Sequence, residues 1–213
     1  MEETKDIGAP EISIDQLEEG VQHVNNPIIG LKPIEKNYLS NVKGYIQKDN
    51  NFYFTDGESK VEIRVVSDEI IRVRMAPQGV FLEEFSYAVP QLDQRVTLFS
   101  LHEDDLTYAV ETNTVRCIIR KEDFLISFAD NNDVVVNEDL APMHWEENAE
   151  FGGYYVYCTK KCQAEESFYG LGDKTTDLNL RGKRLVNWNT DTYSFGKYQD
   201  PLYRSIPFYV GLN

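Results

Sequence analysis

A chain of 213 residues has room for one large domain with its own core, and its 36 Asp plus Glu against 21 Lys plus Arg give a net charge of −15 at pH 7. So acidic a chain argues against nucleic acid or an anionic membrane as partner, since both reward basic patches, and is neutral towards an uncharged sugar. No basic segment leads into an apolar run, and no apolar stretch approaches the roughly eighteen residues of a membrane helix. No signal peptide or membrane span is therefore expected in the sequence as given, and cytoplasm and periplasm both stay open as compartments.

Residues 1–35 differ from the rest. The first twenty carry seven acids against the single base Lys5. Leu17, Val21 and Val24 fall at helical spacing, so a short helix capped by Asp15, with Glu18 three residues on, is one expectation; a mobile acidic arm is the other. From Tyr38 the period becomes two. Val61, Ile63 and Val65 alternate with Glu62 and Arg64, and beyond Ser67-Asp68 the residues Ile71, Val73 and Met75 alternate with Arg72 and Arg74. The pattern predicts a β-hairpin with one face buried and one wet. It recurs at Leu106-Tyr108-Val110, Val115-Cys117-Ile119 and Phe124-Ile126-Phe128, with turn residues between, and strands are also expected at Tyr154–Tyr157 and Ile206–Val210. Short strands at this spacing, without βαβ alternation or repeats, predict an all-β antiparallel sandwich. Cys117, Cys158 and Cys162 fit no metal spacing, and His23, His102 and His144 are scattered, so no metal site is expected; Cys117 reads as a small core residue.

Between Asp173 and Asp200 the alternation lapses, although Trp188 and Tyr193 argue against disorder. Two carboxyl groups held close together can divide the work of nucleophile and general acid/base between them. Asp173, Asp177, Asp191 and Asp200 are the acids available here, and turn, cap and solvent roles are expected for at least three of them. Gly170 and Gly172 lack the further glycine and helix of a phosphate cradle and read instead as a turn needing positive φ or close packing. Arg181-Gly182-Lys183-Arg184 reads as a solvated basic spot, with internal ion pairs as the alternative.

Three stretches in succession, Tyr169-Gly-Leu-Gly-Asp173, Trp188-Asn-Thr-Asp191 and Pro201-Leu-Tyr-Arg-Ser-Ile-Pro-Phe208, resemble the "YGLGE", "WNTDA" and "PLYKSIPF" segments of glycoside hydrolase family 31. That family comprises α-glucosidases and α-xylosidases. The likeness is closest over residues 168–211, looser over 61–77, and absent before residue 35. It implies a β-sandwich of the galactose-mutarotase-like type over residues 36–213, ending before its last strands and preceding a catalytic (β/α)₈ barrel that is not in this chain. Both catalytic aspartates would lie in that barrel, so no catalytic residue is expected here. The resemblance assigns Asp191 to the sugar on the leaving-group side of the scissile bond, with Thr192 and Trp188 as weaker candidates. For Trp188 a buried anchor of the loop is preferred to stacking on a sugar. Thr192 stands where many relatives have Ala, and Asp173 where the family has Glu.

The function implied is that of a retaining α-glycosidase, foremost an α-glucosidase releasing terminal α-linked glucose from oligosaccharides. It works by double displacement and without cofactor. A non-catalytic carbohydrate-binding sandwich is the alternative, and a stand-alone mutarotase a third. The expected partners are an α-linked oligosaccharide, the enzyme's own barrel, and further copies of the chain through an open sheet edge.

Overall fold

The computed structural model describes residues 36–86 and 97–213; the acidic arm and the helix expected from Asp15 lie outside the described residues. Every regular element among these residues is a β-strand, and every pairing is antiparallel. Four strands form a meander: β2 (Gly44–Lys48), β3 (Asn51–Thr55), β4 (Lys60–Val65) and β5 (Ile71–Ala76). A second sheet contains β1 (Asn37–Tyr38), β6 (Ser100–Glu103), β7 (Thr107–Glu111), β8 (Val115–Arg120), β9 (Ile126–Asp130), β10 (Val135–Glu147) and β11 (Tyr154–Lys160). Its order is β1-β10-β9-β8-β7-β6, with β11 alongside β10. The long strand β10 serves three neighbours, pairing β9 over Val135–Glu138, β11 over Asp139–Glu147 and β1 at His144 and Trp145, with irregular register near Asp139, where β9 gives way to β11. A separate ribbon joins β12 (Ser167–Gly172) to β13 (Ser205–Leu212).

Alternation drives the two larger sheets together. Phe52 and Phe54 on β3 and Val61, Ile63 and Val65 on β4 point the same way and are buried, as are Tyr108, Val110, Cys117, Ile119 and Ile126 from β7, β8 and β9. These side chains form one core between the sheets, each large one contributing about 1.5–3 kcal/mol by leaving water. The fold is the expected antiparallel sandwich, with Cys117 inside it, where burial pushes its thiol far up. The hairpin of β4 and β5 has the expected register, Val61 opposite Met75, Ile63 opposite Val73 and Val65 opposite Ile71.

Its outer face is not wet, however. Glu62 is 5% exposed and receives Arg72 at 2.9 Å and Arg74 at 3.7 Å. The segment after β5 folds back over this face. Glu84 meets Arg64 at 3.0 Å and also binds Arg72, while Phe81 packs on Tyr53 and under the Arg74 guanidinium. Charged side chains alternate with apolar ones here because they neutralise one another beneath a strap of chain. Two further expectations shift by a few residues. Leu106 stands before β7 and is exposed, and Phe124, though buried, occupies a left-handed turn (φ 57°) ahead of β9.

A buried carboxylate fixes the point where β10 changes neighbour. The Asp139 side chain is fully buried; its Oδ2 accepts the Ile126 backbone N–H at 2.9 Å and its Oδ1 meets Lys160 Nζ at 2.6 Å. One residue thus ties β9, β10 and β11. Truncating it leaves a buried amide and a cation without their acceptor, and Asp139→Ala should cost about 3–5 kcal/mol. Urea denaturation followed by far-ultraviolet circular dichroism measures this, and the loss should exceed that of Asp139→Asn, which keeps one acceptor oxygen.

Candidate functional site

The segment between β12 and β13, residues 173–204, has no strand of its own, so each buried backbone group must find its own partner. It does so first at its base. The Asp173 N–H donates to the Arg204 carbonyl at 2.9 Å, and the Arg204 guanidinium returns two bonds to the Asp173 carboxylate, at 2.9 and 3.0 Å. This bidentate pair holds the Asp173 carboxyl below the usual carboxylate range. One step on, Lys174 Nζ lies 2.6 Å from Asp200 Oδ1, with its side chain 4% exposed. Thr175 then bonds the Gln199 carbonyl through its hydroxyl and accepts the Tyr198 N–H. These three rows continue the β12–β13 ribbon by side chains after its ladder has ended.

The ribbon owes its closeness to glycine. Gly170 and Gly172 both have positive φ, and a Cβ at either would stand 2.5 Å from the Phe208 carbonyl oxygen or 2.4 Å from that of Arg204. Both reasons given for these glycines in the sequence hold at once. On the other edge of β12, Asn179 and Leu180 are stitched to the strand: Leu180 N–H donates to Phe168 O, and Asn179 Oδ1 accepts the Phe168 N–H. The basic spot divides. Arg181 donates to the carbonyls of Gln163 and Glu166, and Lys183 pairs with Asp177 at 3.4 Å. Asp177 also meets Lys197 at 3.3 Å, and that bond before all others lowers its pKa.

A second layer carries the Trp-Asn-Thr-Asp stretch. Asn189 Oδ1 accepts the Ser205 N–H at 2.7 Å; the Thr190 N–H donates to Leu202 O at 2.9 Å; the Thr192 hydroxyl donates to Pro201 O at 3.2 Å, and Thr192 O accepts the Tyr203 hydroxyl at 2.5 Å. Leu202 beneath them is buried. Asp191 is exposed with its carboxylate free, for it forms no hydrogen bond or ion pair among the described residues. Of the four acids in the segment, Asp173, Asp177 and Asp200 are therefore held by cations and Asp191 is not. Trp188 differs from the expectation of a buried anchor, being 70% exposed; within this chain the loop is held by hydrogen bonds and not by its indole. Sequence reasoning missed Lys174 and Arg204 as the cations that hold this segment, because partners 26 and 31 residues away leave no local pattern.

Comparison with known proteins identifies the fold. The model of the glycosyl hydrolase 31 N-terminal galactose mutarotase-like domain matches residues 60–213. The chain belongs to this family. It is 28% identical to α-glucosidase 2 of Bacillus thermoamyloliquefaciens over 174 residues, which is 81% of this chain and 21% of that protein. A segment of 60 residues is 40% identical to an α-glucosidase of Saccharolobus solfataricus, covering 28% of this chain and 9% of the relative. Among solved structures, a family 31 dextranase of Flavobacterium johnsoniae complexed with isomaltotriose superimposes with a TM-score of 0.74 at 28% identity, over 82% of this chain and 21% of the dextranase. The chain thus spans about a fifth of the length of the Bacillus enzyme and of the dextranase. In this mutarotase-like domain of family 31 the Asp191 loop is the connection between β12 and β13.

The ion pairs of the loop make it acid-sensitive. Asp173 and Asp177 are held below their ordinary range, so the unfolded chain takes up protons before the folded one does. Their contribution is complete above the unfolded carboxylate pKa of about 3.9 and is lost as pH falls through the lower folded values. Asp104, Asp123 and Asp130 in the sandwich shift the same way. Thermal melts should hold steady from about pH 7 to about pH 5 and decline steadily below about pH 4.

Proposed function

We propose that this chain is the N-terminal sandwich of a retaining α-glycosidase, foremost an α-glucosidase acting on terminal α-linked glucose of oligosaccharides. In this reading the sandwich supports a catalytic barrel and lends it the Asp191 loop. The observation that carries the reading is the free, exposed carboxylate of Asp191 between neighbours whose backbone is pinned on both sides. An ionised carboxylate only accepts hydrogen bonds and can receive two vicinal hydroxyls together. Held in place before the substrate arrives, it loses little entropy on binding. The names of the curated relatives, two α-glucosidases among them, support the substrate class.

The division of labour follows. Cleavage requires a nucleophile and an acid/base at about 5 Å, and in this reading both belong to the barrel. Asp191 receives hydroxyls of the leaving-group sugar. Thr192 is committed to the Pro201 carbonyl and acts chiefly by fixing the turn, while the exposed face of Trp188 is open to stacking against a pyranose.

Two outcomes are expected. The 213-residue chain alone should not hydrolyse an aryl α-glucoside above a buffer blank, because no covalent route exists without the nucleophile. In an enzyme carrying this sandwich, Asp191→Ala should lower kcat/KM on maltose by about 1–3 kcal/mol, the usual range for losing hydrogen bonds to a charged group. An aryl glucoside offers no hydroxyls on that side and should be nearly spared, and deglycosylation should be untouched. Equal losses on both substrates would mean that Asp191 holds the loop and not the sugar.

A further inference from the structure

We infer that Lys174 and Asp200 are the positioning residues of the Asp191 loop: a nearly buried ion pair that closes both ends of the segment 186–200 and so sets where the free carboxylate stands. The inference rests on the reading of Asp191 as a substrate contact for its functional consequence, but not for its structural content.

The geometry is that of a closed ring of contacts. Lys174 Nζ donates to Asp200 Oδ1 at 2.6 Å and to the Val186 carbonyl at 2.7 Å. Asp200 Oδ2 accepts the Val186 N–H at 2.5 Å. Both polar groups of the Val186 backbone therefore end on this one pair. The side chains are 4% and 13% exposed, so water does not readily replace either partner. Two residues beyond Val186 stands Trp188, and directly after Asp200 comes the 201–203 segment on which Thr190 and Thr192 are fastened. The pair thus fixes both the stretch that leads into the Trp-Asn-Thr-Asp run and the stretch beneath it.

The other ion pairs of the segment do not share this property. Arg204 and Asp173 lie at its base with the Arg204 side chain 79% exposed, and Lys183, Lys197 and Asp177 meet in solvent. Exposed pairs are screened and contribute little order. Lys174 is also a poor candidate for a sugar ligand itself, because its ammonium is spent on two internal acceptors and is shielded from solvent. Its role is to hold the loop.

The chain provides its own reporter. Its two tryptophans are Trp145 and Trp188, so Trp145→Phe leaves the loop indole as the sole tryptophan. In that background, Lys174→Met should lower the steady-state anisotropy of Trp188 and raise amide exchange at Val186 and Thr190 by roughly tenfold or more, while the sandwich amides keep their protection. Lys174→Arg should restore part of the protection. Unchanged anisotropy and exchange in a folded Lys174→Met chain would overturn the inference. Should that variant not fold, exchange in the unsubstituted chain decides: Val186 and Thr190 protected to a common level support the ring, and unprotected amides refute it.

Asp191→Ala should leave all these signals unmoved, so a failure of the sugar-contact reading remains distinct from a failure of the clamp. In a glycosidase carrying the domain, Lys174→Met should depress kcat/KM on maltose relative to an aryl glucoside, and should have no further effect on that ratio once Asp191 is Ala. A full additional loss in the double variant would show that Lys174 acts elsewhere.

Discussion

A long polypeptide segment without a ladder must satisfy its backbone groups one at a time, and in this protein that constraint is met by a nearly buried cation. Lys174 sits where the β12–β13 ribbon ends and gathers Asp200 and the Val186 carbonyl around one ammonium group. A neutral side chain of the same length could not serve, since Asp200 would then be shielded from solvent without a counter-charge. The ribbon must also come close enough for this to happen, which is why Gly170 and Gly172 lack a Cβ. Close approach, ion pair and ordered loop are consequences of one another.

The strands were legible because their burial is periodic. Wherever apolar and polar residues alternate, as on β4, β7 and β8, one face had to go inward, and the structure buries it. What alternation cannot tell is whether the other face meets water. Glu62 reads as an outward residue and is outward, yet Arg72, Arg74 and the returning chain enclose it. Asp139 was invisible for a related reason: its partners Ile126 and Lys160 come from two different strands, brought to it by the irregular register of β10. Phe124 shows the opposite case, an apolar residue in a run of apolar residues whose backbone turns left-handed and so opens the strand late.

The candidate site was legible in part and by another kind of signal. Composition pointed nowhere in particular, and no spacing of acids distinguished Asp191 from Asp173, Asp177 or Asp200. Resemblance singled it out. The structure adds an independent physical distinction, because the other three carboxylates are neutralised and Asp191 is not. An exposed carboxylate is hydrated and costs the fold nothing, so Asp191 is left available to a ligand, whereas the paired anions are already spent within the fold. The indole of Trp188 follows similar logic. Exposed at 70%, it contributes little to the packing of this chain and is left open to contact.

These two observations bear on how function is distributed in a family of long enzymes of which such a sandwich is about a fifth. A fold of this type does not fix chemistry, and the same layers of strands can hold unrelated sites. Here the layers hold a loop, and the loop's order comes from interactions wholly inside the chain. Asp191 and Trp188, by contrast, are exposed. An element whose internal contacts are complete and whose outward groups are unspent is suited to be added to a site assembled elsewhere. On the proposed reading it contributes selectivity for the departing sugar and carries out no step of the cleavage itself. Changes to its free groups would then alter which glycoside is preferred, and changes to Lys174 or Asp200 would alter whether that preference is expressed at all.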